Sequence, residues 1–289
     1  MLAFIVAVVL RHTFLHLPGV GPRTERRLWL EGITTWEEAL SHPLPFLAHW
    51  QREWLWQGLD ESLWHLERGN ALFFAQRLPP SERWRLLADF GHQAACLDIE
   101  TTGLSAGYAY ITVIGLYDGC RYQAFVRGAN LEGFLGEIGR FRLIITYNGL
   151  RFDIPFIEAE MGPVLAGLAH LDIMYPLRRL GHRGGLKRVE EDLGVARPSG
   201  LQGLQGYDAV RLWRLHQQGH QGALPTLIRY NAEDVVALWP LAALVYNAMA
   251  AQLPFPATPM PVPPRPWLDL PYDPELVEWL LTLKIVNAP

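Results

Sequence analysis

The stretch Leu97-Asp98-Ile99-Glu100 limits the folds open to this chain more than any other. It ends an apolar run that begins at Ala94, and it carries two acids separated by one residue. On a strand, alternate residues share a face, so Asp98 and Glu100 point the same way. At an effective dielectric of about 20, two carboxylates about 4 Å apart repel by about 4 kcal/mol. A buried strand tolerates such a pair when a cation lies between its members, and Mg2+ or Mn2+, which prefer oxygen ligands, meet that need. The other reading is a strand edge with two solvated acids. This segment alone does not choose between them.

Its surroundings indicate alternating strands and helices. Short apolar runs at 94–99, 110–117, 122–126 and 143–147 read as strands, with Asp118-Gly119 as a turn between the second and third. Helical spacing dominates 153–161, 184–193, 207–218 and 224–249. Strands with helices between and after them give an α/β fold. The first 90 residues read as mainly helical. They hold a turn at Leu17-Pro18-Gly19-Val20-Gly21, a helix over 24–30, and a helix capped by Thr34 or Thr35 with Glu37 or Glu38 following. One or two further helices over 44–78 end at Pro79-Pro80. Trp29, Trp36, Trp50, Trp54, Trp56 and Trp64 are read as core rather than as stacking surfaces. The tail 253–266 holds seven prolines and reads as a linker or surface strap, followed by a short amphipathic helix over 274–285. The expected organisation is a helical region at 1–90, an α/β domain at 91–252, and a proline-rich linker with a C-terminal helix at 253–289.

Half of the 289 residues are hydrophobic and 19% are charged, which suits a folded protein rather than a disordered one. The net charge of −4 counts mildly against a nucleic-acid binder, but not against an enzyme whose metal ions help to neutralise phosphates. Cys96 and Cys120 are the two cysteines, with no paired Cys/His spacing; this excludes a zinc finger or disulfide scaffold and fits the cytoplasm. The apolar run 2–10 is shorter than the roughly 20 residues a membrane span requires. Its basic neighbours, Arg11 and His12, follow it, so it reads as a buried strand or extended leader rather than a targeting element.

Two further acidic segments follow. In Thr146-Tyr147-Asn148-Gly149-Leu150-Arg151-Phe152-Asp153, a strand runs through Asn-Gly into a helix opened by Asp153. An acid there is favoured by the helix dipole alone, and it is also placed to bind metal. Asn148 can contact substrate or hold the loop. In Tyr230-Asn231-Ala232-Glu233-Asp234, Tyr230 and Asp234 are one helical turn apart and face one side. A phenol and a carboxylate facing inward are costly unless employed or hydrogen-bonded to each other. Glu233 is expected to face solvent.

In this order the segments Asp-x-Glu, Asn-x-x-x-Phe-Asp and Tyr-x-x-x-Asp resemble the three exonuclease motifs of the DEDD superfamily, in its tyrosine-bearing (DEDDy) branch. The second is similar to the proofreading exonuclease of family B DNA polymerases. The stretch 90–250 most resembles the YprB-type RNase H-like domain. The resemblance implies an RNase H-like mixed central sheet flanked by helices and 3′–5′ exonuclease chemistry on DNA or RNA with a free 3′ end. It implies two Mg2+ or Mn2+ ions held by Asp98, Glu100, Asp153 and Asp234, with Tyr230 orienting the attacking water. Asp172, in His170-Leu171-Asp172-Ile173, is either an auxiliary ligand or a helix cap. A structure-specific or RNase H-type endonuclease, or a non-catalytic nucleic-acid binding module, are the alternatives.

Two segments offer contacts to nucleic acid. Residues 178–188 form the most basic window, and Arg183 and Lys187 can track a phosphate backbone; an amphipathic helix with an ordinary charged face is the other reading. Leu17-Pro18-Gly19-Val20-Gly21, followed by Leu28 and Gly32-Ile33, resembles a helix-hairpin-helix element. There Gly19 and Gly21 let backbone N–H groups approach a phosphate and Arg23 adds charge, while Glu25 and Glu31 oppose it.

Overall fold

The four apolar runs form strands, joined by a fifth short one. The computed structural model describes residues 9–195, 197 and 199–286. Among them, β1 (Ala94–Thr101), β2 (Ile111–Tyr117), β3 (Tyr122–Val126), β4 (Leu143–Thr146) and β5 (Ala169–Asp172) make one sheet in the order β3-β2-β1-β4-β5. The first three strands are an antiparallel meander, and β4 and β5 run parallel to β1. The C-terminal ends of β1, β4 and β5 therefore lie side by side.

Helices α1 (Pro22–Leu30), α2 (Trp36–Ser41), α3 (His49–Glu67), α4 (Ala71–Arg77) and α5 (Leu87–Phe90) precede the sheet. Helices α6 (Gly133–Ile138), α7 (Asp153–Met161), α8 (Met174–Arg179), α9 (Leu186–Asp192), α10 (Gly206–Gln217), α11 (Ala223–Ala250) and α12 (Pro274–Val286) follow. The result is a mixed α/β fold with a five-stranded mixed sheet and a helical N-terminal region. Among the described residues, no helix is long and apolar enough to cross a membrane. Residues 2–8 of the apolar run lie outside the described residues, while Val9 and Leu10 are buried in a 3₁₀ turn, Val9–His12.

Alternation along β1 divides the core. Ala94 and Cys96 face a cluster that includes Val235, Val236 and Leu238 of α11, continuous with Leu28, Trp36 and Phe74 of the N-terminal helices. Ala95, Leu97 and Ile99 face α6 and α7 through Phe134, Ile138, Phe156 and Ile157. Asp98 and Glu100, two and four residues beyond Cys96, thus turn toward the α11 side.

Three expectations are corrected here. Trp36 is fully buried, but Trp50, Trp54 and Trp64 are each about half exposed, because they sit on the outer face of α3 while Leu55 and Leu59 fill its inner face. Glu233 is buried rather than solvent-facing: Arg229 and Arg265 both pair with it, so its charge is matched inside the protein. Glu25 is also buried, on Arg85, and therefore takes no part in the surface charge of α1. The cap of α2 is Thr35, whose hydroxyl accepts from the Glu38 N–H while the Glu38 carboxylate accepts from Thr35 N–H.

Candidate active site

Each acid reaches the site by a different local route. β1 places Asp98 and Glu100 on one face, opposite Gly115 and Val113 of β2. Asp234 comes from α11, which packs across that face. Oxygen atoms of Asp98, Glu100 and Asp234 lie within 4.8 Å of one another. At an effective dielectric of about 20, that separation costs roughly 3–4 kcal/mol for each ionised pair.

Asp153 opens α7 beside this group, and its Oδ1 accepts a hydrogen bond from Ile99 N–H at 3.0 Å. Burial raises its pKa to about 7. Burial, followed by the charges of Asp153, Glu100 and Asp234, holds Asp98 well above the usual carboxylate range. Burial and then Asp234 do the same to Glu100. Without added positive charge, the cluster retains protons.

The loop before Asp153 is tightly built. Asn148 has φ of 63°, a left-handed conformation that Asn tolerates better than most residues. A Cβ on Gly149 would fall 2.4 Å from Thr146 Oγ1, so the chain turns there only with glycine. Asp172, at the end of β5, accepts from the backbone N–H groups of Asn148 at 2.8 Å, Leu150 at 3.2 Å and Met174 at 3.1 Å. Its oxygens thus hold the turn that aims Asp153, outside the convergent three.

Two residues unassigned from sequence complete the site. Asn231 is fully buried, and its Nδ2 donates to Asp98 Oδ2 at 3.1 Å and Glu100 Oε1 at 3.5 Å. The Tyr122 hydroxyl donates to Asn231 Oδ1 at 2.9 Å, which fixes the amide's orientation. A Cβ on Gly115 would lie 1.9 Å from that Oδ1, so the amide occupies space that only glycine leaves. The signal was in the sequence: Asn231 precedes Asp234 by three positions on one helix, hence on the same face. Arg197 is the other residue; it donates to Asp234 Oδ1 and, from Nη2 at 2.9 Å, to Glu190 Oε1. No local pattern marks it, because its partners come from α9 and α11.

Tyr230 lies one turn before Asp234 and is buried. Burial, then the charges of Asp234 and Glu100, raise its pKa well above the ordinary phenol value. Its hydroxyl therefore stays protonated and accepts from Lys187 Nζ at 2.9 Å. Lys187 thus turns inward, donating also to the Leu204 carbonyl, and burial lowers its pKa. Arg183 remains exposed in the loop 181–185, which the Tyr147 hydroxyl anchors through Gly184 O at 2.6 Å. Gly19, Gly21 and Arg23 lie exposed in the N-terminal hairpin, outside the carboxylate group.

The acids open into a cleft of about 660 Å3 whose walls include Phe152, Tyr207, Arg214 and Tyr230. Another cavity, about 560 Å3, lies under the proline-rich strap between Leu87, Trp239 and Met260, and no acid lines it. Of these two cavities, only the first is lined by the convergent carboxylates. Its donor set of carboxylate oxygens with unmatched negative charge fits hard divalent cations.

No protein of curated function matches the chain. Among solved structures it is similar to the family B DNA polymerase from the hyperthermophilic archaeon Pyrobaculum calidifontis. That similarity has 16% identity and a TM-score of 0.41, and it covers 54% of this chain and 26% of the polymerase. A family model described as the RNase H superfamily matches residues 95–246, the span that holds β1 to β5 and every acid of the cleft. The chain belongs to the RNase H superfamily.

Proposed function

We propose that this protein is a metal-dependent 3′–5′ exonuclease of the tyrosine-bearing DEDD type, similar to YprB-type domains, acting on DNA or RNA. The observation that carries the reading is the convergence of Asp98, Glu100 and Asp234 within 4.8 Å at the floor of an open cleft, with Tyr230 one turn from Asp234. Asp98, Glu100, Asp153 and Asp234 would hold two Mg2+ or Mn2+ ions. When bound, such ions supply an activated water and stabilise charge on the phosphate and leaving oxygen.

The chain's own residues set up the rest. Asn231 holds Asp98 and Glu100 in one orientation, so neither carboxylate must be ordered during the reaction. Tyr230, kept protonated and positioned by Lys187, orients a water by hydrogen bond rather than acting as a base. Phe152 and Tyr207 in the cleft wall offer aromatic faces to unpaired bases, and Arg214 a charge for phosphate. Asn148 and the exposed Arg183 extend that path. With Glu25 withdrawn into the core, the hairpin at Gly19 and Gly21 and the exposed Arg23 form a second contact to a nucleic-acid backbone.

A panel of 5′-labelled single- and double-stranded DNA and RNA with Mg2+ or Mn2+ tests this. The expected result is a ladder of products shortened stepwise from the 3′ end, absent in EDTA and in Asp98→Ala. Internal cuts would replace the reading by an endonuclease. Binding without cleavage in either metal would replace it by a nucleic-acid binding module. Tyr230→Phe is expected to slow turnover about 100- to 1,000-fold while metal binding persists, as for loss of one positioned donor.

A further inference from the structure

Asp234 faces the cleft with one side and an arginine with the other. Arg197 donates to Asp234 Oδ1 and to both oxygens of Glu190. Its side chain is only 6% exposed, and it does not line the cleft, so it approaches Asp234 from behind. Its Nη1 is buried with no hydrogen-bond partner among the described residues. Glu190 is itself buried and pairs with Arg265 of the strap at 3.8 Å, and Arg265 Nη1 donates to Val195 O at 3.3 Å, two residues from Arg197. The arginine is thus anchored at one end by α9 and the strap, and its guanidinium is held against a single acid of the cluster.

We propose that Arg197 is a built-in counter-cation for the metal-free site: it stabilises Asp234 when no metal is bound, and it weakens divalent-ion binding because the ion must share Asp234 with it. This rests on the metal-binding reading above. Two cations drawing on one carboxylate oppose each other, and at this depth water screens them poorly. A guanidinium that served only to orient Asp234 would do the reverse, and its loss would weaken the metal. The direction of the change in metal affinity therefore separates the two roles.

The test is Mn2+ binding, read by electron paramagnetic resonance of the free ion, together with thermal unfolding with and without Mn2+. The proteins are wild type, Arg197→Gln, and Arg197→Gln combined with Glu190→Gln. The double variant removes the charge pair together and guards against misfolding from an unmatched Glu190. Both variants are expected to melt lower than wild type without metal, to bind Mn2+ about ten-fold tighter, and to show a larger metal-induced rise in Tm. Equal or weaker Mn2+ binding by folded variants, beside a wild type that binds, overturns the counter-cation and leaves the metal site standing. No Mn2+ binding by any of the three overturns both.

Discussion

Two of the buried acid groups in this chain are balanced differently. Where the N-terminal helices meet the sheet, Glu25 receives two bonds from Arg85, at 2.9 and 3.0 Å, and two more from Phe14 and Leu15 N–H. Glu82 shares Arg85 at 2.8 Å and also pairs with Arg179. Two acids meet two arginines, so that group is closed. In the cleft, Asp98, Glu100 and Asp234, with Asp153 beside them, meet one guanidinium and one inward-turned lysine; burial with mutual repulsion keeps protons on Asp98 and Glu100, and burial raises Asp153 to about 7. The same residue types thus serve as structural glue in one place and, on our reading, as a reserve of negative charge for ions from outside in the other.

Breaking the closed group should have the largest effect. Arg85→Met leaves Glu25 and Glu82 buried with too little positive charge, and about 3–5 kcal/mol of stability should be lost, read from urea unfolding. A loss under about 1 kcal/mol would mean that the group is not a buried ion network in solution. Gly115→Ala attacks the open group through its support. The added methyl displaces Asn231, and roughly 1–3 kcal/mol should go, together with most of the activity. Unchanged unfolding in that variant would show that Asn231 does not occupy the space opposite Gly115.

The response to pH sharpens the contrast between the regions. Asp153 has a folded pKa of about 7 against an ordinary value near 4, so the folded protein holds the extra proton between them. Its contribution to stability falls as pH rises through that window. His16, in the N-terminal region, has the opposite sign: burial lowers its pKa to about 3, and its contribution is lost as pH falls below about 6.5. Between pH 5.5 and 7, metal-free Asp153→Asn should therefore gain relative to wild type at the upper end, by on the order of 1–2 kcal/mol. His16→Gln should flatten the acid side instead, read from urea midpoints at several pH values. Identical pH profiles for Asp153→Asn and wild type would remove the raised pKa.

Much of this was legible in the sequence, and the boundary is physical. Periodicity placed four strands and the long helix α11 closely, because each buries a regular face. β5 was visible only as a hint before Asp172, since four residues carry little pattern. Strand spacing pairs Asp98 with Glu100 and helical spacing pairs Tyr230 with Asp234, whereas only the family resemblance joins the two pairs in one site. Gly115 and Arg197 work through contacts between elements far apart in sequence, where no local pattern records them; Asn231 shares the face of Asp234 on α11, and only its partners on β1 and β3 lie beyond local reach. Glu233 is buried by partners of both kinds: Arg229 lies one helical turn before it, while Arg265, which covers it from the strap, lies 32 positions away. Lys187 was recognised as a basic residue beside the site, but only the packing of α9 turns it inward toward Tyr230.

The central claim is that the unmatched acids of the cleft are reserved for divalent cations. Thermal unfolding of wild type and Asp98→Asn, each in EDTA and in Mn2+, tests it most directly. In EDTA, Asp98→Asn should equal or exceed wild type, by about 1 kcal/mol, because an amide needs no proton to be buried there, whereas the Asp98 carboxylate must take one up on folding. Mn2+ should raise the Tm of wild type by several degrees and that of Asp98→Asn little, as linkage to a bound ion requires. A variant that melts well below wild type in EDTA, with no response to Mn2+ from either protein, would contradict the account and make Asp98 a structural residue.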